Sequence, residues 1–490
     1  MITVWKKRTE IRDRVFIPKY YDPSIPSALN ALKRSHRLLR IGDLIAANAL
    51  EVSTGDEIGK MAYGTGDIPF VRTSDISNWE IKSAPKQGVS EEIFNDYSMR
   101  QNVASGDILL VRDGTYLIGT NCIVTELDAR LVYQSHILKF RVVKSDEIDP
   151  YILFLALNNP LVQKQFRSIQ FTADTIDTIG NRYLDVILPV PNDPKTCTAL
   201  AEAAKESMRK REVGKAFIKQ APFLIEQCLI TESTDPITDF LALNADELKD
   251  ALKQDTITAE FGEFETFWHS SKDILERILL PKYYEPSIAT ELDKLSASCD
   301  FITIGALEEG NRLSLATGDE IGKMAYGTGN IPFLRTSDFS NWEIKHDPKQ
   351  GISEEIYDDY AVKQDLKDGD ILLVRDGTYL VGSSCIVTSA DSKALYCGGL
   401  YKIRSLDHTD LSPYLLLGLI NSYIVKRQFR TKQFTRDVID TLGQRVKEVV
   451  LPIPRSEELR KALISAIKST VDDRIDARVN IRSLSDSLAA

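Results

Sequence analysis

The residues of this chain that could do chemistry are arginines, glutamines, threonines and tyrosines in three short sets, each present twice. Arg72-Thr73-Ser74-Asp75 is matched by Arg335-Thr336-Ser337-Asp338, and Arg112-Asp113-Gly114-Thr115-Tyr116 by Arg375-Asp376-Gly377-Thr378-Tyr379. The third set runs from Gln165 and Arg167 through Gln170 to Thr172. Its match runs from Gln428 and Arg430 through Lys432, Gln433 and Thr435 to Arg436. These types suit DNA, because Arg pairs bidentately with guanine, Gln pairs with adenine, and hydroxyls or glycine-loop amides hold phosphates. The competing reading makes Arg72–Asp75 and Arg112–Asp113 internal ion pairs that stabilise turns, and for the aspartates it is preferred. For Gln165, Arg167 and Gln170 the DNA-binding reading is preferred, since a string of amides and Arg at a helix end has little packing use.

Other candidates lead away from catalysis. The run from Thr54 to Met61, repeated from Thr317 to Met324, approaches a phosphate loop but is one residue short. Met61 and Met324 stand where a magnesium-binding hydroxyl belongs, and no Walker-type aspartate strand follows. What remains is a polar glycine-rich loop that exposes Lys60 and Lys323. Asn158-Asn159-Pro160-Leu161 falls short of the motif by which amino-methyltransferases grip a target amine, and no glycine-rich cofactor turn accompanies it. None of the five histidines has metal-site or hydrolase spacing, and His136 faces Gly399 in the repeat, so the fold does not require it. Six cysteines without a CxxC pair suit a reducing compartment and argue against zinc. The sequence reads as non-catalytic, with no metal and no cofactor of its own.

These residues are positioned by a tandem duplication. Residues 14–191 align with 277–454 at a constant offset without a gap, and GDILLVRDGTYL is identical at Gly106 and Gly369. A period this large means duplicated globular domains rather than a solenoid. Short β-branched runs with Gly-Asp and Asp-Gly turns predict strands at IPFVRTSDI, GDILLVRDGT and LVYQSHILKFRVV. Proline at the first turn and helical apolar spacing predict one helix over PYILFLALNNPLVQKQF and its match. Pro189, Pro191, Pro452 and Pro454 are expected to end strands.

A long helix is expected after each copy, kinked in the first at Pro222. In the second, Leu459, Leu463, Ile467, Val471, Ile475 and Val479 recur every four residues on one face. About 35 residues make a rod of roughly 50 Å, and two such rods could pair as an antiparallel coiled coil. The alternative, that each helix merely covers its own domain, is less favoured. The predicted organisation is a mixed α/β fold: a first recognition domain over 1–191, a spacer helix over 192–230, an acidic connection over 231–276, a second domain over 277–454 and a C-terminal helix over 455–490. An apolar stripe longer than one domain needs makes Leu463, Ile467, Val471 and Ile475 candidates for binding a partner.

The chain of 490 residues is 43% hydrophobic and 27% charged, with no apolar run long enough for a bilayer and no secretory signal at its start. A cytoplasmic protein that does not touch membranes is expected. The net charge of -10 at first opposes a polyanionic partner, but between Thr231 and Asp273 eleven acidic residues stand against three lysines. The remainder is nearly neutral and permits local basic grooves. The acidic segment is expected to face away from DNA, to contact a partner, or to be a solvated decoration.

At IPFVRTSDI, GDILLVRDGTYLIG, the helix ending QKQFRSIQFT, the DTIG turn and the closing VILPVP before a long helix, the sequence resembles the target recognition domains of type I restriction-modification specificity (S) subunits. The order of these motifs, twice over, is what is specific. The resemblance implies a non-catalytic subunit of a phage-defence system in which each copy reads half of a split site on double-stranded DNA. It also implies that the paired helices act as a ruler and dock two methyltransferase subunits that use S-adenosylmethionine, with room for a translocating restriction subunit. The assembled complex would be a DNA adenine methyltransferase. Two departures stand out: Pro191 and Pro454 do not run on into the family's Glu-Gln, and the acidic segment is longer than the usual joint. A diverged methyltransferase or another defence component therefore stays open as the partner. So does a stand-alone DNA-binding regulator, which would leave the helix faces exposed.

Two copies so alike predict a nearly palindromic, interrupted site, with half-site centres on the order of 10 base pairs apart. Gln134-Ser135-His136 against Cys397-Gly398-Gly399 implies half-sites that differ at one or two bases. Lys432 and Arg436, in place of Ile169 and Ala173, imply a tighter backbone grip by the second copy.

Overall fold

The structure, a computed structural model, describes residues 7–8, 11, 17–114, 116–173, 176–254, 267–268, 270, 274, 278–377, 379–436 and 439–488. The chain forms two units, Met1–Val213 with Arg474–Ala490, and Gly214–Asp473. Their borders differ from those expected from the repeat, because each long helix is divided between the units.

In the first unit a four-stranded antiparallel sheet runs in the order Leu50–Thr54, Ile137–Val142, Ile108–Val111, Asn121–Ile123. All four residues of Ile108–Val111 are buried, so this central strand reads as a continuous apolar run rather than an alternating one. Beside it Ile68–Val71 pairs antiparallel with Gly88–Val89 and parallel with Val132–Tyr133. The single predicted helix is two. Asp149 caps Pro150–Asn158, then Asn159 turns extended and caps Pro160–Ile169 through its side chain. The break recurs at Ser422, between Pro413–Asn421 and Tyr423–Lys432, where no proline follows, so proline alone does not cause it.

Helix Pro160–Ile169 leads into a hairpin, Phe171–Ala173 with Ile176–Thr178, in which Thr172 stands opposite Asp177. The chain then passes a glycine with positive φ, Gly180, and closes along Ile187–Pro191, antiparallel to His36–Arg40. Pro191 ends this strand as expected, whereas Pro189 lies within it. The ladder has only two strands, so a missing N–H on its open side costs nothing.

Helix Pro194–Thr231 continues through Pro222. Its first half and the last part of Glu457–Ser487 close the floor of the first unit, where Ala204, Met208, Ile481 and Leu488 join Phe154 and Phe166 in one core. His36 Nε2 meets the carbonyl of Leu488 at 2.8 Å, and Asn159 donates to that of Ser485.

The second unit repeats the frame, with the sheet Leu313–Thr317, Leu400–Ser405, Ile371–Val374, Ser384–Ile386 and the hairpin Phe434–Arg436 with Ile439–Thr441. Here Gly418 lets helices approach closely, since a Cβ on it would lie 2.3 Å from Ile467 Cδ1 and 3.5 Å from Ile225 Cδ1. Leu463, Ile467 and Val471 are buried and Ile475 is half-buried. This corrects the assignment of the stripe to a partner: those side chains are covered by their own chain. The acidic segment begins as two helices, Asp235–Ala242 and Ala245–Gln254, and Phe240 packs at 6.2 Å from Phe217, which meets Trp342 edge-on. Residues 255–266 lie outside the described part. Among the described residues no helix is long and apolar enough to cross a membrane.

Candidate nucleic-acid interface

Asp113 organises the site in the first copy. It sits where Ile108–Val111 ends, and its carboxylate takes a two-pronged bond from Arg112 (Nε 3.0 Å, Nη2 2.8 Å), a bond from His136 Nδ1 at 3.0 Å and one from the Thr178 hydroxyl. Burial pushes its pKa up, but the bonds from Arg112, Thr178 and His136 prevail and hold it below the usual carboxylate range. The amide of Gly114 donates to the Asp177 carbonyl and that of Ile179 to the Arg112 carbonyl, so two backbone bonds tie the loop to the hairpin. In the second copy Arg375 and Thr441 hold Asp376 in the same way, and the Arg375 guanidinium lies 5.7 Å from the Tyr401 ring centre. Arg112 and Arg375 are therefore engaged by their neighbouring aspartates.

The hairpin is braced by a second carboxylate. Asp177 accepts from the hydroxyl of Thr172 at 2.6 Å and from Gln170 Nε2 at 2.7 Å, and both bonds lower its pKa. Asp440 does the same for Thr435 and Gln433. Arg182 stacks 4.0 Å from the Phe171 ring centre and Arg445 4.1 Å from that of Phe434.

Several residues expected to touch DNA prove to be structural. Gln165 is 5% exposed, donates to the Ile187 carbonyl at 2.8 Å and accepts from the Ile187 amide at 2.9 Å. Gln428 binds Val450 identically, at 2.8 Å both ways. Both ends of each amide are taken by the closing strand, so neither can read a base. Gln170 and Gln433 are buried under their hairpins. Lys432 pairs with Glu448 at 3.0 Å and covers the Tyr283 ring, which removes it from the backbone grip expected of it. Asp75 does not pair with the Arg72 guanidinium. It caps a turn, accepting from the amides of Arg72 (3.0 Å) and Lys86 (3.3 Å), and Asp338 accepts likewise from Arg335.

What remains outward is a smaller set. Lys60 and Lys323 are exposed on single-turn 3-10 helices, next to Met61 and Met324, each over 90% exposed. Arg335 is exposed, Arg72 half-buried, and Thr73, Ser74, Thr336 and Ser337 line the same turns. Arg167 and Arg430 are exposed and brace the neighbouring loop by donating to the carbonyls of Tyr116 and Tyr379. Those tyrosines are themselves 39% and 50% exposed, and Thr172 is exposed with them. Thr115 and Thr378 lie outside the described residues, as does the side chain of Arg436.

The structure joins two of the predicted sets, and a strand of the neighbouring hairpin, at one point. A Cβ placed on Gly399 would meet Thr336 Cγ2 at 3.2 Å and Asp376 Cβ at 3.9 Å, so the Arg-Thr-Ser turn, the Arg-Asp-Gly loop and the hairpin strand holding Thr441 converge there. Glu57 is a residue that the sequence does not single out: it accepts from the Ser135 hydroxyl and lies 3.9 Å from His136 Nε2. Only the divergence of 134–136 from 397–399 hints at it.

No protein-family model matches the chain, and no curated protein is similar to it in sequence. Among solved structures, the type I restriction-modification S subunit of M. genitalium aligns over 93% of this chain and 95% of its own, at 12% identity and a TM-score of 0.34. A chain from a structure describing assembly and conformational transition of the type I R-M system aligns over 93% and 97%, at 14% identity and a TM-score of 0.28. The HsdS subunit of Thermoanaerobacter tengcongensis aligns over 93% and 95%, at 14% identity and a TM-score of 0.26. Likeness at this level leaves the functional reading to rest on the residues of this chain.

Proposed function

We propose that the chain is the non-catalytic DNA-reading subunit of a type I-like restriction-modification assembly, each copy reading one half of a split site. One observation carries this: Lys60, Tyr116, Arg167 and Thr172 face outward around one strand frame with Arg72 half-buried beside them, and Lys323, Arg335, Tyr379, Arg430 and Thr435 recur on the same frame in the other copy. A ligand with two similar polyanionic stretches is what such a pair of surfaces fits. The methyltransferase subunits that would complete the assembly bring S-adenosylmethionine. They would dock on outward helix positions such as Val479, 51% exposed, since the main stripe is already covered.

A second reading, a stand-alone DNA-binding regulator, gains from that same burial of Leu463, Ile467 and Val471, which removes the exposed stripe that spoke against it. Selection from random duplex DNA by the full chain tests the shared core of both readings. An enriched motif of two related halves around a fixed unread spacer is expected, with affinity falling steeply with salt; a single uninterrupted motif, or none, would refute it. Co-purification of a methyltransferase with the full chain favours the first reading, and a clean monomer that binds specific DNA favours the second.

A further inference from the structure

We infer that His136 reads a base in the first half-site, an amino-bearing cytosine or adenine, and that the second half-site has no counterpart. The inference rests on the proposed DNA-reading function. An ionised Asp113 can only accept, so the 3.0 Å bond requires the proton on Nδ1, and in that tautomer Nε2 is an acceptor. Nε2 has no hydrogen-bond partner among the described residues, the nearest candidate being the Glu57 oxygen at 3.9 Å, and the side chain is 35% exposed. Glu57, fixed by the Ser135 hydroxyl, adds a second acceptor to the same spot. In the major groove only the amino groups of adenine and cytosine present donors to such a pair.

The second copy shows what the imidazole does. The bonds from Arg375 and Thr441 to Asp376 are kept, while Gly398 and Gly399 supply no side chain. The carboxylate of Asp376 is 25% exposed against 10% for Asp113. His136 is therefore dispensable for holding the loop, and the two copies differ here in function rather than in frame.

The test is selection from random duplexes by the full wild-type chain and by His136→Gly, in whatever complex the wild type requires. The variant should lose about 10- to 100-fold discrimination at one position of one half, with the other half and the spacer unchanged. The unchanged half is the folding control. A base analogue lacking the exocyclic amino group at that position should weaken wild type more than His136→Gly, which keeps only the Glu57 acceptor. An identical motif for the two proteins, or equal sensitivity to the analogue, overturns the inference while the DNA-reading function stands. A wild type that enriches no split motif removes that function and the inference with it.

Discussion

Arg211 and Arg474 each donate to the other's backbone carbonyl, at 3.2 and 2.8 Å, and both guanidinium groups converge on the carboxylate of Glu80. The two arginines stand one repeat offset apart, 263 positions, so equivalent residues of the two long helices meet each other. All three side chains are almost wholly out of water. A polar cluster in an apolar helix seam stabilises little by itself but favours one register, because a slip parts both cations from Glu80.

Removing Glu80 should therefore be severe. Glu80→Ala removes the carboxylate that two buried guanidinium groups share and should lower stability in urea by about 3–5 kcal/mol. Replacing Glu80, Arg211 and Arg474 together by Met or Leu should cost far less than Glu80→Ala. A single substitution as mild as a surface change would show that water reaches the cluster.

Gln165→Ala should unbind the closing strand from its helix. Without the two amide bonds the backbone of Ile187 is unsatisfied, which should cost about 1–3 kcal/mol, with the DNA affinity of the folded fraction unchanged. Denaturant titration beside a binding isotherm checks both halves of the statement.

Arg335→Ala and Arg430→Ala should weaken binding without unfolding the second copy, since both residues are exposed. Removing an arginine that holds a phosphate should weaken all sequences alike and lower the salt slope by about one, whereas removing one that reads a base should act at a single position. Affinity unchanged across a salt series would assign these arginines to loop support.

Acid should loosen the first site. The pKa of Asp113 in the folded chain lies below that of an ordinary aspartate, so its carboxylate contributes stability that is complete above the ordinary value and is lost as pH falls through the lower folded one. Acid titration of Asp113→Asn, followed by circular dichroism, should lack that increment, while the two proteins should differ by a constant amount at neutral pH.

Much of the frame is legible because it repeats locally. The offset, the Gly-Asp turns and the fully apolar ILLV strand each carry their meaning within a few residues. The glutamines mislead because the backbone they bind lies 22 positions on, across a strand ladder no local pattern announces. Leu463, Ile467 and Val471 mislead for a related reason: a stripe that meets its own chain has the same spacing as one that meets another. At Pro222, where a kink is expected, the helix runs on to Thr231, since proline spoils one backbone bond but tertiary packing holds the rest.

The bond between His36 and the carbonyl of Leu488 joins residues 452 positions apart. During synthesis the first copy leaves the ribosome with its floor missing, because Ile481 and Leu488, which close its core, are made long after it. At about 5–20 residues per second that interval lasts some tens of seconds. A message that breaks or stops before Leu488 thus yields a protein whose first copy displays bare apolar surface, ready for chaperones and proteases. Only a chain translated through Leu488 hides that surface, so exposure of the first copy's core reports on whether this distant helix has been made.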